Sequence, residues 1–408
     1  MTAFSFWTLA ALIASSLGVA SVNTQAYMQV ANGLEKAGLL GDKLGDKKAL
    51  APIGEPVSTA PSVATSAMLP TLLEAPVSVQ SDAVVDRLNK LSERVSQVWG
   101  EDNVVLPSET QVVKYSPDMR SRSIIDLKDG KLIVETLADG KEELSCHQAL
   151  VQALLTPEDP RRVDVLSTEP NVITEKPFLL GQLVDSLGKP IDSLARANKF
   201  AAWAVVNRSQ WIALPKSGRV QRVSLALDAN HKQVRAARFA PFIEAEAAKY
   251  NLDVNLLYAI TETESHFNPF AVSKTGALGL MQLVATKAGR DAMKASTGQD
   301  RVPTIEELRD PATNVRLGAA YVARLGNHYL GGVANAQSKE FAVIAAYNGG
   351  SVRALKVFGS DKAQAVAMLN KLPPKVVYDT LKSQHSSAET RGYVEKVTTA
   401  KKRYSTRV

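Results

Sequence analysis

The stretch YAITETESHFNPFAVSKTGALGLMQL, residues 258–283, sets the helical fold of the second half of this chain. Its first part has apolar residues at helical spacing and contains two glutamates, Glu262 and Glu264. On a helix with about 100° per residue, Glu264 falls within the apolar arc and Glu262 falls on the opposite side. We therefore predict that Glu262 is a solvated surface charge and that Glu264 is buried, where a carboxylate needs a role or a partner.

A carboxyl group on an apolar helix face has two interpretations. Glu264 is either a structural residue with a buried partner or a catalytic acid, because burial raises the pKa of a carboxyl group and keeps it protonated near neutral pH. The residues after the helix favour the catalytic interpretation. Two glycines allow a close backbone approach, and Ser273, Thr275 and Gln282 offer hydroxyl and amide groups of the kind that bind sugars. Each hydroxyl alone indicates little, since serine and threonine in turns usually bond to the local backbone.

The composition of the chain is that of a globular protein, and its basic charge indicates either an anionic partner or an ordinary soluble surface. Its 408 residues suffice for two or three domains, with 45% hydrophobic and 22% charged residues. A net charge of +7 favours polyanions such as an acidic glycan, an acidic lipid or a nucleic acid. No block of Lys and Arg is interleaved with aromatic residues, so a nucleic-acid partner is not expected.

The sequence predicts neither a disulfide nor a metal or other cofactor. The chain has one cysteine, Cys146, and five histidines that show no metal-ligand spacing. His147 follows Cys146 directly, but a nucleophilic Cys-His pair requires adjacency in space rather than in sequence. We interpret Cys146 as structural.

The N-terminal part of the chain is predicted to lie outside the folded domains. Residues 1–26 are interpreted as a signal peptide or an N-terminal anchor, because an apolar run ends in small residues; no Lys or Arg precedes the run, and a cytosolic helix is the alternative. Residues 42–80 carry five prolines among Ala, Ser, Thr and Val, a composition typical of a linker.

Residues 82–230 are predicted to form an α+β domain. Apolar spacing indicates a helix from residue 82 to Gly100, and the run at 123–136 indicates a hairpin whose Asp129-Gly130 pair suits a type I′ turn. A second helix is expected at 147–155, and strands at 177–191 and 220–228. No reactive constellation of side chains is evident, so we expect this domain to position the rest of the chain.

Residues 232–408 are predicted to form an all-α domain. Asp253 and Asp310 are expected to cap helices, the latter with Pro311 at the first helical position. Gly326 is expected to end the helix that begins after Asp310. The pair Gly349-Gly350 is expected to end a short buried helix in the segment KEFAVIAAYNGG (339–350).

Four segments in this order carry a resemblance to a known family: ETESHFNPFAVSKTGALGLMQ (262–282), DPATNVRLGAAYVARL (310–325), AAYNGG (345–350) and AETRGYVEKV (388–397). The set resembles the catalytic domain of soluble lytic transglycosylases. QVWG (97–100), KYSPDMRSRS (114–123) and KDGKLIVET (128–136) are similar to the front domain of the membrane-bound lytic murein transglycosylase C family. The resemblance covers about residues 82–403 and implies a goose-lysozyme-like helical fold acting on peptidoglycan.

The resemblance also assigns roles to individual residues. Glu264 matches the catalytic acid and base, in agreement with its place on the helix. The remaining matched positions approach the substrate or line and close the cleft: Ser273, Thr275, Met281, Gln282, Tyr347, Asn348, Glu389 and Tyr393. Without the resemblance, Tyr347 reads as a core aromatic residue and Glu389 as a charge on a helix face.

The implied reaction is cleavage of the bond between N-acetylmuramate and N-acetylglucosamine, which leaves a 1,6-anhydro end. One carboxylate suffices for this reaction if the acetamide of the sugar supplies the nucleophile. A lysozyme-like hydrolase on the same fold and a non-catalytic peptidoglycan-binding module are the alternatives. We expect residues 232–408 to retain the activity alone.

The family's C-type members are lipoproteins attached through a cysteine that follows the signal peptide. No cysteine precedes Cys146 here. We therefore expect a protein of the periplasm that has no lipid anchor and is either free or tethered to a membrane by its N-terminal segment.

Overall fold

A computed structural model describes residues 78–173, 176–215 and 218–405, with side chains from Asp82 onward. These residues belong to one compact unit. The predicted signal peptide or anchor at 1–26 lies outside the described residues, as does the predicted linker at 42–80 except for its last three residues. Those three residues are helical, because the first helix begins at Ser78.

The front region, residues 82–230, is an antiparallel sheet with helices on both faces. Its helices are α1 (Ser78–Trp99), α2 (Glu142–Leu154) and α3 (Leu194–Arg208), and its strands are β1 (Gln111–Tyr115), β2 (Ser121–Asp126), β3 (Lys131–Leu137), β4 (Ser209–Leu214) and β5 (Gly218–Ala226). The strands lie in the order β1-β2-β3-β5-β4. Side-chain alternation explains the two covered faces: Val112 and Ile125 pack on the side of α2 and α3, whereas Val113 and Ile124 pack on the side of α1.

The predicted hairpin is confirmed, but its turn differs from the predicted type. Asp126 pairs with Lys131, so four residues connect β2 to β3. The Asp126 carboxylate accepts hydrogen bonds from the N–H groups of Lys128 and Asp129, and only Gly130 has a positive φ, of 66°. A type I′ turn needs positive φ at both central residues, so that prediction is wrong.

The strand predicted at 220–228 is confirmed as β5. The strand predicted at 177–191 is wrong, because that segment forms turns and isolated bridges. Its physical cause is Asp185, whose carboxylate accepts from the N–H groups of Leu187 and Lys189 and folds the chain back.

The helical region, residues 231–405, follows as predicted. Its helices are α4 (His231–Tyr250), α5 (Val254–Ser265), α6 (Arg290–Thr297), α7 (Ile305–Arg309), α8 (Pro311–Arg324), α9 (Ala336–Gly349), α10 (Ser351–Lys356), α11 (Lys362–Lys371), α12 (Pro374–Gln384) and α13 (Ala388–Ser405). Two-residue strands at Ala277–Leu278 and Leu283–Val284 interrupt the helices. The predicted fold class, an α+β part followed by a helical part, is confirmed.

The helix boundaries agree with the predicted capping residues at three of four positions. Asp253 accepts from the N–H of Asn255, and Asp310 accepts from that of Thr313. Helix α9 ends at Gly349, as the paired glycines indicate. The prediction for Gly326 is wrong: α8 ends at Arg324 and continues as a π-helical turn, Leu325–Tyr329.

The front and helical regions pack through a shared core. The rings of Phe178 and Phe270 meet edge to face with their centroids 5.0 Å apart, one from each region. Arg309 adds hydrogen bonds to the carbonyl oxygens of Pro160 and Val163 in the front region. The position of the predicted domain boundary near residue 231 stays a prediction.

Within residues 78–405 as described, none of the helices is both long enough and apolar enough to span a bilayer.

Candidate active site

Helix α5 carries both glutamates of the opening stretch and lies between α4 and α13. It begins at the Asp253 cap and ends at Ser265, where His266 and Phe267 take left-handed backbone angles, with φ of 52° and 58°. Helix α13 packs along α5 and also contacts α9, which ends near Tyr347. Segments distant in sequence therefore meet around the last turn of α5.

Glu264 is half-buried and points towards α13. The hydroxyl of Tyr393 donates a hydrogen bond of 2.6 Å to Oε1 of Glu264. Burial raises the pKa of the Glu264 carboxyl to about 8, the Tyr393 hydrogen bond acts to lower it, and the negative charges of Glu389 and Glu109 raise it further. Glu264 is thus mostly protonated at neutral pH, as a general acid must be.

Glu262 contradicts the prediction that it is a solvated surface charge. Its side chain is only 5% exposed, because α13 covers the side of α5 that faces away from the apolar arc. Oε1 lies 3.1 Å from Lys232 Nζ and 3.0 Å from the Arg403 guanidinium. Burial acts to raise the pKa of Glu262, but a hydrogen bond from Tyr404 and these two cations hold it below its usual range. Glu262 is therefore an ionised structural residue.

The loop at 271–283 is fixed by polar contacts to three helices. Ser265 of α5 donates to the carbonyl of Leu280 at 2.7 Å. Asn314 of α8 accepts from the N–H of Met281 and donates to the carbonyl of Leu278. Tyr347 of α9 donates to the carbonyl of Met281 at 2.7 Å. These bonds to Leu278, Leu280 and Met281 hold this part of the loop beside the end of α5.

Gly279 explains why this loop needs glycine. Its φ is 74°, and a Cβ there would lie 2.5 Å from the Asn314 amide nitrogen. A side chain would therefore be strained by its backbone angle and would displace Asn314.

Met281 does not line the cleft with its side chain, which corrects the assignment carried over from the resemblance. The side chain is 0% exposed and packs against Gly318, where a Cβ would come within 2.2 Å of Met281 Sδ. The sulfur faces the core because the backbone of residue 281 is held by Asn314 and Tyr347 on the other side. Met281 contributes packing and a backbone carbonyl.

Gln282 has the features of a ligand-binding residue. Its φ of 47° is unusual for a non-glycine residue. Its Nε2 donates to the carbonyl of Gly279 at 2.9 Å, while Oε1 is buried without a hydrogen-bond partner. Such an orphaned acceptor suits a donor from a bound molecule.

Ser273 and Thr275 bond to each other and to the local backbone. Their hydroxyl oxygens are 3.0 Å apart, and Ser273 Oγ accepts from the N–H groups of Thr275 and Ala277. Ser273 is buried and Thr275 is exposed. The pair stabilises the turn, and Thr275 is the member that solvent reaches.

Asn348, Glu389 and Thr390 form a hydrogen-bonded chain between α9 and α13. Asn348 Nδ2 donates to Glu389 Oε1 at 2.9 Å, and Thr390 donates to Asn348 Oδ1 at 2.7 Å. Glu389 is exposed. The structure thus brings Glu264, Tyr393, Glu389 and Asn348 to one region, with Tyr347 anchoring the neighbouring loop.

Sequence reasoning missed Glu109, Asn314 and Tyr321. Glu109 belongs to the front region, yet its charge acts on Glu264. The Tyr321 and Tyr347 ring centroids are 5.5 Å apart. Asn314 is 0% exposed and bonds to the loop. No local pattern in the sequence indicates any of these contacts, since each joins distant segments.

Cys146 is structural, as the sequence indicated. It is fully buried, and burial raises the pKa of its thiol to about 12. His147 contacts the carbonyl of Asn198 instead of the thiol. A thiol with so high a pKa is inert as a nucleophile at neutral pH.

Two known families match the chain in sequence order. The N-terminal domain of membrane-bound lytic murein transglycosylase C matches residues 78–238, and the transglycosylase SLT domain matches residues 241–370. Among solved structures, the chain is 28% identical to an inactive mutant of the lytic transglycosylase Slt from Pseudomonas aeruginosa, with a TM-score of 0.34. The match covers 43% of this chain and 25% of that one, so the chain matches about a quarter of that protein's length.

Proposed function

The chain belongs to the lytic transglycosylases that join a membrane-bound lytic murein transglycosylase C N-terminal domain to a transglycosylase SLT domain, and we propose that it cleaves peptidoglycan glycan strands. The bond cut is the β-1,4 bond between N-acetylmuramate and N-acetylglucosamine, and the product carries a 1,6-anhydro end. The observation that carries the proposal is the hydrogen bond from Tyr393 to the Glu264 carboxyl, near a loop in which the amide oxygen of Gln282 has no partner.

In the first step, Glu264 acts as the general acid. Tyr393 occupies Oε1, and among the residues that the structure describes Oε2 has no hydrogen-bond partner. Oε2 gives its proton to the oxygen that links the two sugars. The acetamide oxygen of the muramate attacks C1 from the opposite face, and an oxazolinium ion forms as the linking bond breaks.

In the second step, Glu264 acts as the general base. The carboxylate takes the proton from the 6-hydroxyl of the muramate, and that oxygen closes on C1 while the acetamide oxygen leaves. No water enters the product, and Glu264 returns to its protonated state. One carboxyl group therefore serves both steps.

The neighbouring residues hold the substrate and the acid. Gln282 Oε1 accepts a hydrogen bond from a sugar hydroxyl or amide, and Thr275 contacts the sugar at the exposed side of the loop. Asn348 and Glu389 close the cleft. Tyr347, which already donates to the Met281 carbonyl, orients the acetamide by contact through its ring.

The proposed location is the cell envelope, where the substrate is. The family that matches residues 78–238 is named after a membrane-bound lytic murein transglycosylase. We propose that this chain works in the periplasm, with its N-terminal segment either removed or retained as a tether. Cell fractionation with N-terminal sequencing separates the two cases, and recovery of intact protein from the cytosol would contradict both.

The pH dependence of cleavage tests the proposed acid. The rate should fall above about pH 8, because Glu264 then loses the proton that it must donate. In Tyr393→Phe the fall of the rate at high pH should move to higher pH. The hydrogen bond from Tyr393 stabilises the ionised carboxylate, so its removal raises the pKa of Glu264. In Glu389→Gln and Glu109→Gln the fall of the rate should move to lower pH, since a nearby negative charge is removed.

The measurement is the rate of release of soluble fragments from purified sacculi across the pH range. All three variants keep the size of the side chain, so circular dichroism should match the parent chain. A fall of the rate that stays in place in Tyr393→Phe and Glu389→Gln, or that moves in the same direction in both, would contradict its assignment to Glu264. No release of fragments by the parent chain at any pH would favour a non-catalytic binding module.

A further inference from the structure

The turn directly after the catalytic helix is strained. His266 and Phe267 are consecutive non-glycine residues with left-handed backbone angles, φ 52° and 58°. Such angles persist only where the surroundings hold them. The turn joins Glu264 on α5 to the loop at 271–283, so its geometry sets the distance between the proposed acid and the substrate-binding groups.

Arg235 holds one side of this turn. It lies on α4, is 0% exposed, and donates from Nε to the carbonyl of His266 at 3.2 Å. The same guanidinium donates to Gln182 Oε1 at 2.6 Å and to the carbonyl of Leu127 at 2.9 Å, both in the front region. His231 Nδ1 contacts it at 2.9 Å. A fully buried guanidinium with this many partners is fixed in place.

Asn268 holds the other side of the turn. It is 0% exposed, and its Nδ2 lies 3.2 Å from the carbonyl oxygen of Glu109 and 3.4 Å from that of Ser108. Its Oδ1 accepts from the N–H of Phe270. The front region therefore contacts the chain through buried polar groups both before and after Phe267.

We propose that Arg235 and Asn268 are positioning residues, which use the front region to fix the turn at His266–Phe267 and so the placement of Glu264 relative to the loop at 271–283. The proposal rests on the proposed role of Glu264 as the acid. It goes beyond that role because it assigns the front region a part in the geometry of the site.

A purely structural role for the same bonds is the competing interpretation, and Arg238 provides the matched control. Arg238 lies one turn further along α4 and donates to the carbonyls of Phe178 and Leu180 in the front region. Within the described residues it has no hydrogen bond to the segment 264–283. Loss of Arg238 thus weakens the contact between the regions without releasing the turn.

The contacts of Arg235 and Asn268 contradict the expectation that residues 232–408 keep the activity alone. In a fragment without the front region, these two side chains lose their front-region partners. Buried donors without acceptors destabilise the conformation that buries them. We expect such a fragment to lose the fixed geometry of the turn and most of its rate.

The test uses the full chain with Arg235→Met, Asn268→Ser and the control Arg238→Met. Serine at 268 is too short to reach the front-region carbonyls but can still accept from the Phe270 N–H. Turnover and KM are measured on soluble glycan strands, well below the lowest melting temperature of the set. We expect kcat to fall by about 10-fold to 100-fold in the first two variants, with KM changed less than about 3-fold, because small misplacements of reacting groups have effects of this size.

Arg238→Met should have a lower melting temperature than the parent chain, but its kcat should stay within about 3-fold of the parent value. An equal fall in kcat in Arg238→Met and Arg235→Met, or unchanged kcat in Asn268→Ser, would overturn the proposal. If Arg235→Met does not fold, Asn268→Ser carries the same test. Normal cleavage by Glu264→Gln would instead refute the proposed function, so the two failures are distinguishable.

Discussion

Replacing Glu264 by Gln is expected to abolish cleavage of peptidoglycan while the fold stays intact. The amide has the size of the carboxyl group and still accepts from Tyr393, but it has no proton to give to the linking oxygen. Loss of proton transfer alone reduces the rate by roughly 10²-fold to 10⁴-fold. The measurement is the release of soluble muropeptides from purified sacculi by matched amounts of the two proteins.

Thermal unfolding separates the loss of chemistry from a loss of structure. The folded-state pKa of Glu264 is about 8 against an ordinary value of 4.5, so the folded protein binds a proton that the unfolded chain releases between these values. The contribution of Glu264 to the stability therefore falls by about 1.4 kcal/mol per pH unit as the pH rises through this window. Glu264→Gln removes this penalty, and its melting temperature should exceed that of the parent chain at pH 7.

Glu262→Gln is the matched control two residues away. It loses charge contacts to Lys232 and Arg403, so the free energy of unfolding should fall by about 1–2 kcal/mol. Its rate should stay within about 3-fold of the parent rate. Near-normal cleavage by Glu264→Gln, or equal losses in both variants, would contradict the assignment of Glu264.

Removing the acetyl group from muramate is expected to stop cleavage at the affected linkages. The amine left behind has no carbonyl oxygen to attack C1. A well-oriented internal nucleophile acts at an effective molarity of about 10⁵ M or more, so the loss should be at least about 10³-fold. The comparison is between matched acetylated and deacetylated sacculi, with chemical re-acetylation as the rescue.

The deacetylation experiment also tests whether Glu389 acts as a second catalytic carboxylate. It is an exposed carboxylate whose charge acts on Glu264, and it could serve as a base for water in a lysozyme-like reaction. If it did, deacetylated glycan would still be cut. Continued cleavage of deacetylated sacculi, together with a strong loss in Glu389→Gln, would favour the hydrolase over the transglycosylase.

Helical periodicity predicted that Glu264 lies on the apolar side of α5, but it did not predict that Glu262 is buried. Helical periodicity reports which side of a helix is apolar, and Glu264 stands on that side. The opposite side is covered by α13, which begins more than 120 residues later. Arg403 and Tyr404 reach Glu262 only through this long-range packing. No pattern within α5 contains that information.

The same limit applies to the rest of the site. Capping at Asp253 and Asp310 could be predicted because it depends on neighbours within three residues. The burial of Met281, the contact between Asn314 and the loop, and the influence of Glu109 each depend on segments tens of residues apart. The motif resemblance names site residues, but it does not indicate that the side chain of Met281 faces the core.

The most direct test of the central claim is the mass of the glycan ends after digestion of sacculi in heavy-oxygen water. Transfer to the 6-hydroxyl predicts 1,6-anhydro ends, lighter by one water than reducing ends and free of heavy oxygen. Reducing ends that carry one heavy oxygen at C1 as the main product would contradict the transglycosylase account and establish hydrolysis instead.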